Sequence, residues 1–184
     1  MDNLGRQTVQ FLNNDQVTNL QNMYEKLYPD FDKSLCVVPN SFMKSTSVTL
    51  GYEIFGSIHS RNMGNCMIMA NWNKGEGNII ETNNNNFEVM PGIIDFVLHH
   101  NLIIDDIIRL HLIIKVFWYT SKPGLNNYCG PPVEVWSRHI CDVEGDSSFM
   151  LIQRVRSKFV ECTEIVRNKK VVFVCPVNKC LSVL

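Results

Sequence analysis

The amino-acid sequence predicts a mainly β fold, in which a single antiparallel β-barrel-like domain carries one helix near its N-terminus. Helical periodicity is confined to the residues before Pro29, and the chain beyond it consists of short segments in which apolar and polar residues alternate. Clusters of Gly, Asn, Pro and Ser separate these segments. About seven short strands spaced by turns are typical of a barrel or sandwich rather than a parallel sheet.

The length and composition favour one globular domain. The chain has 184 residues, enough to bury a core without disulfides or metal as staples. Its 45% hydrophobic and 19% charged residues exclude a disordered chain. We divide it into an N-terminal helical segment, residues 1–34, and a barrel domain, residues 35–184, with the helix packed on the barrel.

The predicted helix covers Asn14 to Tyr28. Its apolar residues recur every three or four positions, as on one face of a helix, at Val17, Leu20, Met23, Tyr24 and Leu27. Asp15 is a suitable residue to cap its start, and Pro29 follows its end. Because this apolar stripe requires burial, the helix must pack against another element.

Three segments before residue 105 have the alternation of strands: Ser47–Phe55, Cys66–Trp72 and Gly92–His100. Their predicted apolar faces consist of Val48, Leu50, Tyr52 and Ile54 in the first, Cys66, Ile68, Ala70 and Trp72 in the second, and Ile94, Phe96 and Leu98 in the third. A turn is predicted at residues 73–78 and a polar loop at residues 81–86.

The clearest predicted strand runs from Arg109 to Tyr119. One face is wholly apolar and consists of Leu110, Leu112, Ile114, Val116 and Trp118. We assign Trp118 to the interior, and expect Lys115, Phe117 and Tyr119 on the opposite face, where they are candidates for binding a partner.

The remainder of the chain adds shorter β segments. Residues 122–132 form a connection rich in Gly and Pro, followed by strands predicted at Val133–Trp136, Phe149–Glu161 and Val171–Val177.

The charge balance excludes a global electrostatic attraction to nucleic acid or to acidic membranes. The chain has 17 Lys and Arg against 18 Asp and Glu. Residues 1–10 lack the pattern of a secretory signal, and the most apolar stretch, residues 102–119, carries too many charges for a membrane span. Seven irregularly spaced Cys fit buried, reduced thiols. We therefore expect an intracellular protein without a membrane anchor.

No catalytic or cofactor motif is recognisable, so we expect no cofactor and no metal. The sequence has no GxSxG elbow, phosphate-binding glycine loop or HExxH pair. Cys175 and Cys180 lack the second pair of ligands that a structural zinc site needs. A small metal-dependent nuclease or transferase remains an alternative, with a site assembled from dispersed residues: Asp105, Asp106, His99 and His111.

A local basic feature keeps a nucleic-acid alternative open. In the predicted strand Phe149–Glu161, Arg154, Arg156 and Lys158 fall on one face at every second position. Such a ridge can contact successive phosphates. The simpler interpretation is a charged strand face in water, with Glu161 and Glu164 diluting the positive field.

The second half of the chain resembles the bromo-adjacent homology (BAH) domain, a chromatin-associated β-barrel interaction module. The resemblance is carried by PGIIDFVLHH, LIIKVFWY, VEVW and LIQRVRSKFVEC leading into VVFVCPV, between Gly92 and Val177. The connection at residues 122–132 departs from the family pattern, so no peptide-binding residues are carried over. The resemblance implies an interaction module in the nucleus or associated with genome-directed machinery, without chemistry.

A second resemblance covers Thr8 to Val177. With FMKSTSVTLGYEIFGS and CMIMANW added, the chain is similar to uncharacterised modules of eukaryotic mobile-element proteins, which imply no activity. The leading hypothesis is a non-catalytic module that binds a protein or chromatin partner, with nucleic-acid binding as the alternative. Neither hypothesis fixes the oligomeric state.

Overall fold

A computed structural model describes residues 7–28, 36–72, 88–121, 134–141, 148–166 and 168–177. Within these ranges the chain forms one α-helix, α1 (Asn14–Leu27). The strands are β1 (Gln7–Phe11), β2 (Cys36–Val37), β3 (Ser41–Ser45), β4 (Ser47–Leu50), β5 (Glu53–Gly56), β6 (Met67–Trp72), β7 (Glu88–Ile104), β8 (Ile107–Ser121), β9 (Glu134–Cys141), β10 (Phe149–Leu151), β11 (Val155–Val166) and β12 (Lys169–Pro176).

The prediction of a mainly β fold with an N-terminal helix is confirmed. Ten strands form one antiparallel sheet, and β4 and β5 form a separate hairpin. Within the large sheet, six strands form a ring of pairings in the order β7, β6, β11, β12, β9, β8 and again β7. The sheet as a whole is not closed into a barrel, because β1, β2 and β10 each pair on one side only among the described strands.

Strands β7 and β8 form a long hairpin at the centre of the large sheet. Its strands pair from Gly92 opposite Trp118 to Ile104 opposite Ile107. The two turn residues, Asp105 and Asp106, have φ angles of 48° and 62°. This is the conformation of a two-residue hairpin turn whose twist matches that of the strands. Toward this turn the hairpin extends beyond the ring, and there β3 and β2 pair with β7.

Helix α1 forms where the sequence predicts it, but Asn13 caps it rather than Asp15. The Asn13 side chain accepts a hydrogen bond from the Gln16 backbone at 2.8 Å, and the Gln16 side chain accepts one from the Asn13 backbone at 3.2 Å. This reciprocal capping box satisfies two backbone donors at the start of the helix. The N-terminal segment also contributes β1, which pairs with β3 and which the sequence did not predict.

Two hydrophobic clusters form the core. The first lies mainly on the ring strands and includes Ile68, Ile94, Ile114, Val116, Trp118 and Phe159. The second lies under α1 and includes Leu20, Tyr24, Phe42, Leu98, Leu102 and Ile113. The expected packing of the helix stripe on the sheet is therefore present, and Trp118 is interior as predicted.

Three predicted strands are interrupted. A turn with Gly51 at φ +60° divides the segment Ser47–Phe55 into β4 and β5. A register shift between Ile94 and Phe96 places these two residues in different core clusters, so they do not share a face. A 3₁₀ turn, Ile152–Arg154, separates β10 from β11. The predicted loops at residues 73–78, 81–86 and 122–132 lie outside the described residues.

Within the described ranges, no helix is long and apolar enough to span a bilayer.

Candidate interaction surface

The predicted basic ridge is wrong as a single row. Arg154 lies in the 3₁₀ turn that precedes β11, and the pairing of β11 with β6 shifts register between Val155 and Ser157. Because the alternation of side chains is broken at this shift, Arg154, Arg156 and Lys158 do not follow each other at every second position of one regular strand.

Arg156 and Lys158 both contact neutral amides. Arg156 Nε donates to Asn71 Oδ1 at 2.9 Å, and Lys158 Nζ donates to Asn65 Oδ1 at 2.8 Å. Lys158 also lies 5.4 Å from the centre of the Phe55 ring, and partial burial lowers the pKa of its ammonium group. Since an amide does not neutralise a cation, these two contacts leave both positive charges uncompensated.

The predicted binding face of Lys115, Phe117 and Tyr119 is also wrong in part. Lys115 is 4% exposed and lies near Phe96 of the helix-side cluster, and Tyr119 is fully buried within the first core cluster. Tyr119 donates to Glu161 Oε2 at 2.8 Å. Lys115 lies between the Phe96 and Phe117 rings with its Nζ 4.0 Å from Asp95 Oδ2. Phe117 is half-buried, and none of the three forms an open surface.

The residues of the nuclease or transferase alternative do not converge. Asp105 and Asp106 are exposed at the hairpin turn. His99 lies opposite Leu112 and His111 opposite His100, so the two histidines project from opposite faces of the hairpin. Among the residues that the structure describes, no three His, Cys, Asp or Glu side chains are grouped for a metal ion.

The cysteines only partly follow the expectation of burial. Cys66 is buried, and burial, more than the nearby Glu161 carboxylate, raises the pKa of its thiol. Cys162 and Cys175 are free and exposed. Cys180, the other half of the predicted thiol pair, lies outside the described residues.

A surface that the sequence analysis did not identify lies on β1, β3, β7 and β8, where the hairpin extends beyond the ring. One row crosses all four strands: Val9 lies opposite Met43, Met43 opposite His99, and His99 opposite Leu112. Residues that are paired across antiparallel strands project to the same face of a sheet. The row therefore lies on the face opposite to the one that α1 covers.

Two further rows continue this face toward the hairpin turn. In the next row, Phe11 is opposite Ser41 and Asn101 is opposite Leu110. In the last row, Val37 of β2 is opposite Ile103, which is opposite Ile108. We call this surface the uncharged face, and it consists of Val9, Phe11, Val37, Ser41, Met43, His99, Asn101, Ile103, Ile108, Leu110 and Leu112.

The uncharged face is apolar and open to solvent. Phe11 is 71% exposed, Val9 67%, Ile108 65% and Leu110 64%. Side chains of this size expose on the order of 100 Å² each at such fractions, so the patch reaches the several hundred Å² above which exposed apolar surface marks an interaction site. Polar side chains are few: Ser41, Asn101 and His99, whose Nε2 is 3.3 Å from Ser45 Oγ.

No Asp, Glu, Lys or Arg lies among the residues of the uncharged face. The charged residues of the same strands are at the alternate positions: Lys44 lies over the Phe96 ring and Arg109 over the Tyr28 ring, on the helix side. Edge strands are usually protected by charges or proline, and β1, with the sequence QTVQF, has neither. The face thus combines apolar exposure and absence of charge with an edge strand, β1, that pairs only with β3 among the strands that the structure describes.

The apolar residues of this face are visible in the sequence, but the strand register is needed to recognise that they are exposed. Ile108 and Leu110 continue the apolar alternation that correctly identified β8, and burial was expected of Leu110 along with Leu112 and Ile114. Only the pairing of β8 with β7, of β7 with β3 and of β3 with β1 shows that Ile114 lies in the core and Leu110 beyond it. The polar sequence of β1 gave no indication that it joins this sheet.

Comparisons with known proteins returned no relative: no family model, no curated protein and no solved structure matches this chain.

Proposed function

We propose that this chain is a non-catalytic interaction module that binds a protein partner through the uncharged face. The observation that supports this proposal most is the exposure of Phe11 and Leu110 on a face without charged side chains. Interfaces are depleted of charge at their centre and rely on a few large apolar anchors. Burying each anchor contributes roughly 1.5–3 kcal/mol.

The resemblance to BAH domains supports a chromatin-associated partner and a nuclear location, and the resemblance to mobile-element proteins is compatible with both. The uncharged face favours contact with an apolar protein surface. It does not suit a nucleic-acid backbone, which requires Lys or Arg opposite the phosphates.

A photo-crosslinking amino acid at Leu110 tests the proposal in cells that express the intact chain. The matched control carries the same probe at Val160, an apolar residue of β11 that is 60% exposed but lies outside the uncharged face. We expect a discrete crosslinked adduct from Leu110 and none from Val160. Mass spectrometry of the adduct then identifies the protein that was bound.

Comparing the adduct yields at Leu110 and Val160 distinguishes a specific interaction surface from non-specific hydrophobic contact. Equal adduct yields at Leu110 and Val160 would mean that apolar exposure alone drives the contact. The absence of any adduct at Leu110 would contradict the proposal.

Nucleic-acid binding is the second candidate, and the amide partners of Arg156 and Lys158 favour it, because both cations keep their charge. If both residues contact phosphates, the slope of log K against log salt decreases by about 2 in the Arg156→Ala, Lys158→Ala variant. Lys26→Ala, which removes an exposed cation from α1, is the control and leaves the slope unchanged. Absence of duplex or single-stranded DNA binding at low salt excludes this candidate.

A further inference from the structure

We propose that the uncharged face binds a second copy of this chain, forming a two-fold symmetric dimer in which two sheets pack face to face. This inference rests on the proposed function and names the partner that the surface accepts. Three properties of the face support it: its charge, the order of residues within its rows, and its area.

The absence of charged side chains from the uncharged face removes self-repulsion from a symmetric dimer. In a two-fold dimer the same patch occurs on both sides, so each charged residue near the axis lies close to its own copy. Like charges in such an interface repel each other and disfavour association. The uncharged face avoids this repulsion, because Lys44 and Arg109 of the same strands project to the helix side.

The row order makes the face complementary to itself. One row consists of the pairs Phe11–Ser41 and Asn101–Leu110. Ser41 comes two residues before Met43 and Asn101 two residues after its partner His99, so continuing this register places Ser41 beside Asn101 and completes the row across β1, β3, β7 and β8. A two-fold axis parallel to the strands, midway between β3 and β7, reverses this order in the second copy. Phe11 then lies against Leu110 of the other copy, and Ser41 against Asn101, so apolar side chains meet each other and a hydroxyl meets an amide.

The neighbouring row obeys the same operation. It reads Val9, Met43, His99 and Leu112, and the axis places Val9 against Leu112 and Met43 against His99. Both pairings are favourable, the second because a thioether packs well on an aromatic ring. Aligned packing of two sheets at about 10 Å separation is a common arrangement of antiparallel sheets.

The area is sufficient for a dimer of moderate affinity. Several hundred Å² of exposed apolar surface on each copy gives a total on the order of 1,000 Å², the lower limit for a specific interface. The polar centre of Ser41 and Asn101 is surrounded by the apolar side chains of β1 and β8, which exclude water from it. We therefore expect a reversible dimer.

Sedimentation velocity of the purified full chain over a range of concentrations tests the proposal. We expect a species of twice the chain mass of 21.2 kDa, which persists at high salt. The variants Leu110→Lys and Phe11→Glu each weaken dimerisation by at least tenfold, because each places a charge in the apolar contact. Val160→Lys, outside the face, leaves it unchanged.

The double variant Phe11→Glu, Leu110→Lys tests the pairing itself. In the proposed dimer the two new charges of opposite sign face each other across the axis, so dimerisation returns and becomes sensitive to salt. Circular dichroism checks that each variant is folded, which is expected because both residues are exposed.

The outcomes separate this inference from the function on which it rests. A monomer at all concentrations, or a dimer that Leu110→Lys does not weaken, overturns the dimer. If the chain is a monomer and the probe at Leu110 crosslinks a different protein, the dimer fails and the proposed function stands. If the chain is a monomer and Leu110 yields no adduct, both fail.

Discussion

Two histidines connect helix α1 to the sheet. His100 is fully buried; its Nε2 donates to the Pro39 carbonyl at 2.8 Å, and its Nδ1 accepts from the Tyr24 hydroxyl at 2.8 Å. Burial favours the neutral ring, in which Nε2 carries the proton and Nδ1 accepts from the Tyr24 hydroxyl. His111, paired with His100 across the hairpin, is 3.1 Å from the Tyr28 hydroxyl. Burial lowers the pKa of both histidines, and at His111 the neighbouring His100 and Arg109 lower it further.

This pair makes the stability of the fold sensitive to acid. The unfolded chain binds protons at these histidines at a higher pH than the folded chain does, so the free energy of unfolding decreases as the pH falls below about 6.5. Urea unfolding between pH 8 and pH 5 measures the decrease. We expect a His100→Gln, His111→Gln variant to reduce it and His59→Gln, at an exposed histidine, to retain it. An unchanged decrease in the double variant would show that other groups cause it.

The contact between Lys115 and Asp95 is expected to contribute to the stability of the fold. Their charged atoms are 4.0 Å apart, the Lys115 side chain is 5% exposed and the Asp95 side chain 15%. Asp95→Asn removes the carboxylate beside the buried Lys115 ammonium group, which lies near the Phe96 and Phe117 rings, and removing one partner of a buried pair costs roughly 3–5 kcal/mol.

Lys115→Met is expected to cost less than Asp95→Asn, because Asp95 keeps contact with His59 at 3.6 Å and Met fills the same apolar space. Chemical denaturation of both variants measures the difference. A larger loss for Lys115→Met would refute the interpretation that the aspartate compensates a buried cation.

The sequence predicted those helices and strands that are determined by a local pattern of apolar residues. The helix Asn14–Leu27 and the strand β8 follow from periodicity, which is a property of neighbouring residues. The sequence did not predict the places where this apolar alternation is interrupted. The register shift after Ile94 places Phe96 on the side of Leu98 and Lys115, and such a bulge depends on the partner strand rather than on the strand itself.

The close approach of β7 and β8 depends on Gly92. A Cβ atom at this position would lie 2.5 Å from Val116 Cγ1 and 3.0 Å from Trp118 Cε3, two fully packed core side chains. Gly92→Ala is therefore expected to destabilise the fold by about 1–3 kcal/mol through overpacking.

Gly64→Ala is the control, because the nearest atom to its Cβ is an amide oxygen of the exposed Asn62 side chain at 3.3 Å. Thermal unfolding of the two variants, side by side, gives the comparison. Equal melting temperatures for Gly92→Ala and the unchanged chain would contradict the observed packing of Gly92 against Val116.

At the scale of the whole molecule, the extended part of the β7–β8 hairpin has one covered face and one exposed face. Helix α1 covers one face of the extended hairpin and buries Leu20 and Tyr24 there. The opposite face remains exposed and lacks charge over four strands from distant parts of the sequence. Sequence reasoning could not find this surface, because its residues become neighbours only through pairing between β1, β3, β7 and β8.

The predicted site residues are not the exposed ones, because the cover on β8 comes from other parts of the chain. Lys115 and Tyr119 were placed on a solvent-facing side because β8 alternates charged and apolar residues. In the structure both residues are covered, Lys115 beside Phe96 of the second core cluster and Tyr119 within the first core cluster. Toward the hairpin turn the cover ends, and the exposed large apolar residues there include Ile107, Ile108 and Leu110.

The most direct test of the central claim asks whether the four strands act as one contact surface. It measures the yield of crosslinked adduct from a probe at Leu110 in chains that also carry Phe11→Lys or Val160→Lys. A lysine at Phe11, on the other side of the uncharged face, is predicted to abolish the adduct, whereas a lysine at Val160 leaves the yield unchanged. An adduct that persists with Phe11→Lys would contradict a single interaction surface on β1, β3, β7 and β8.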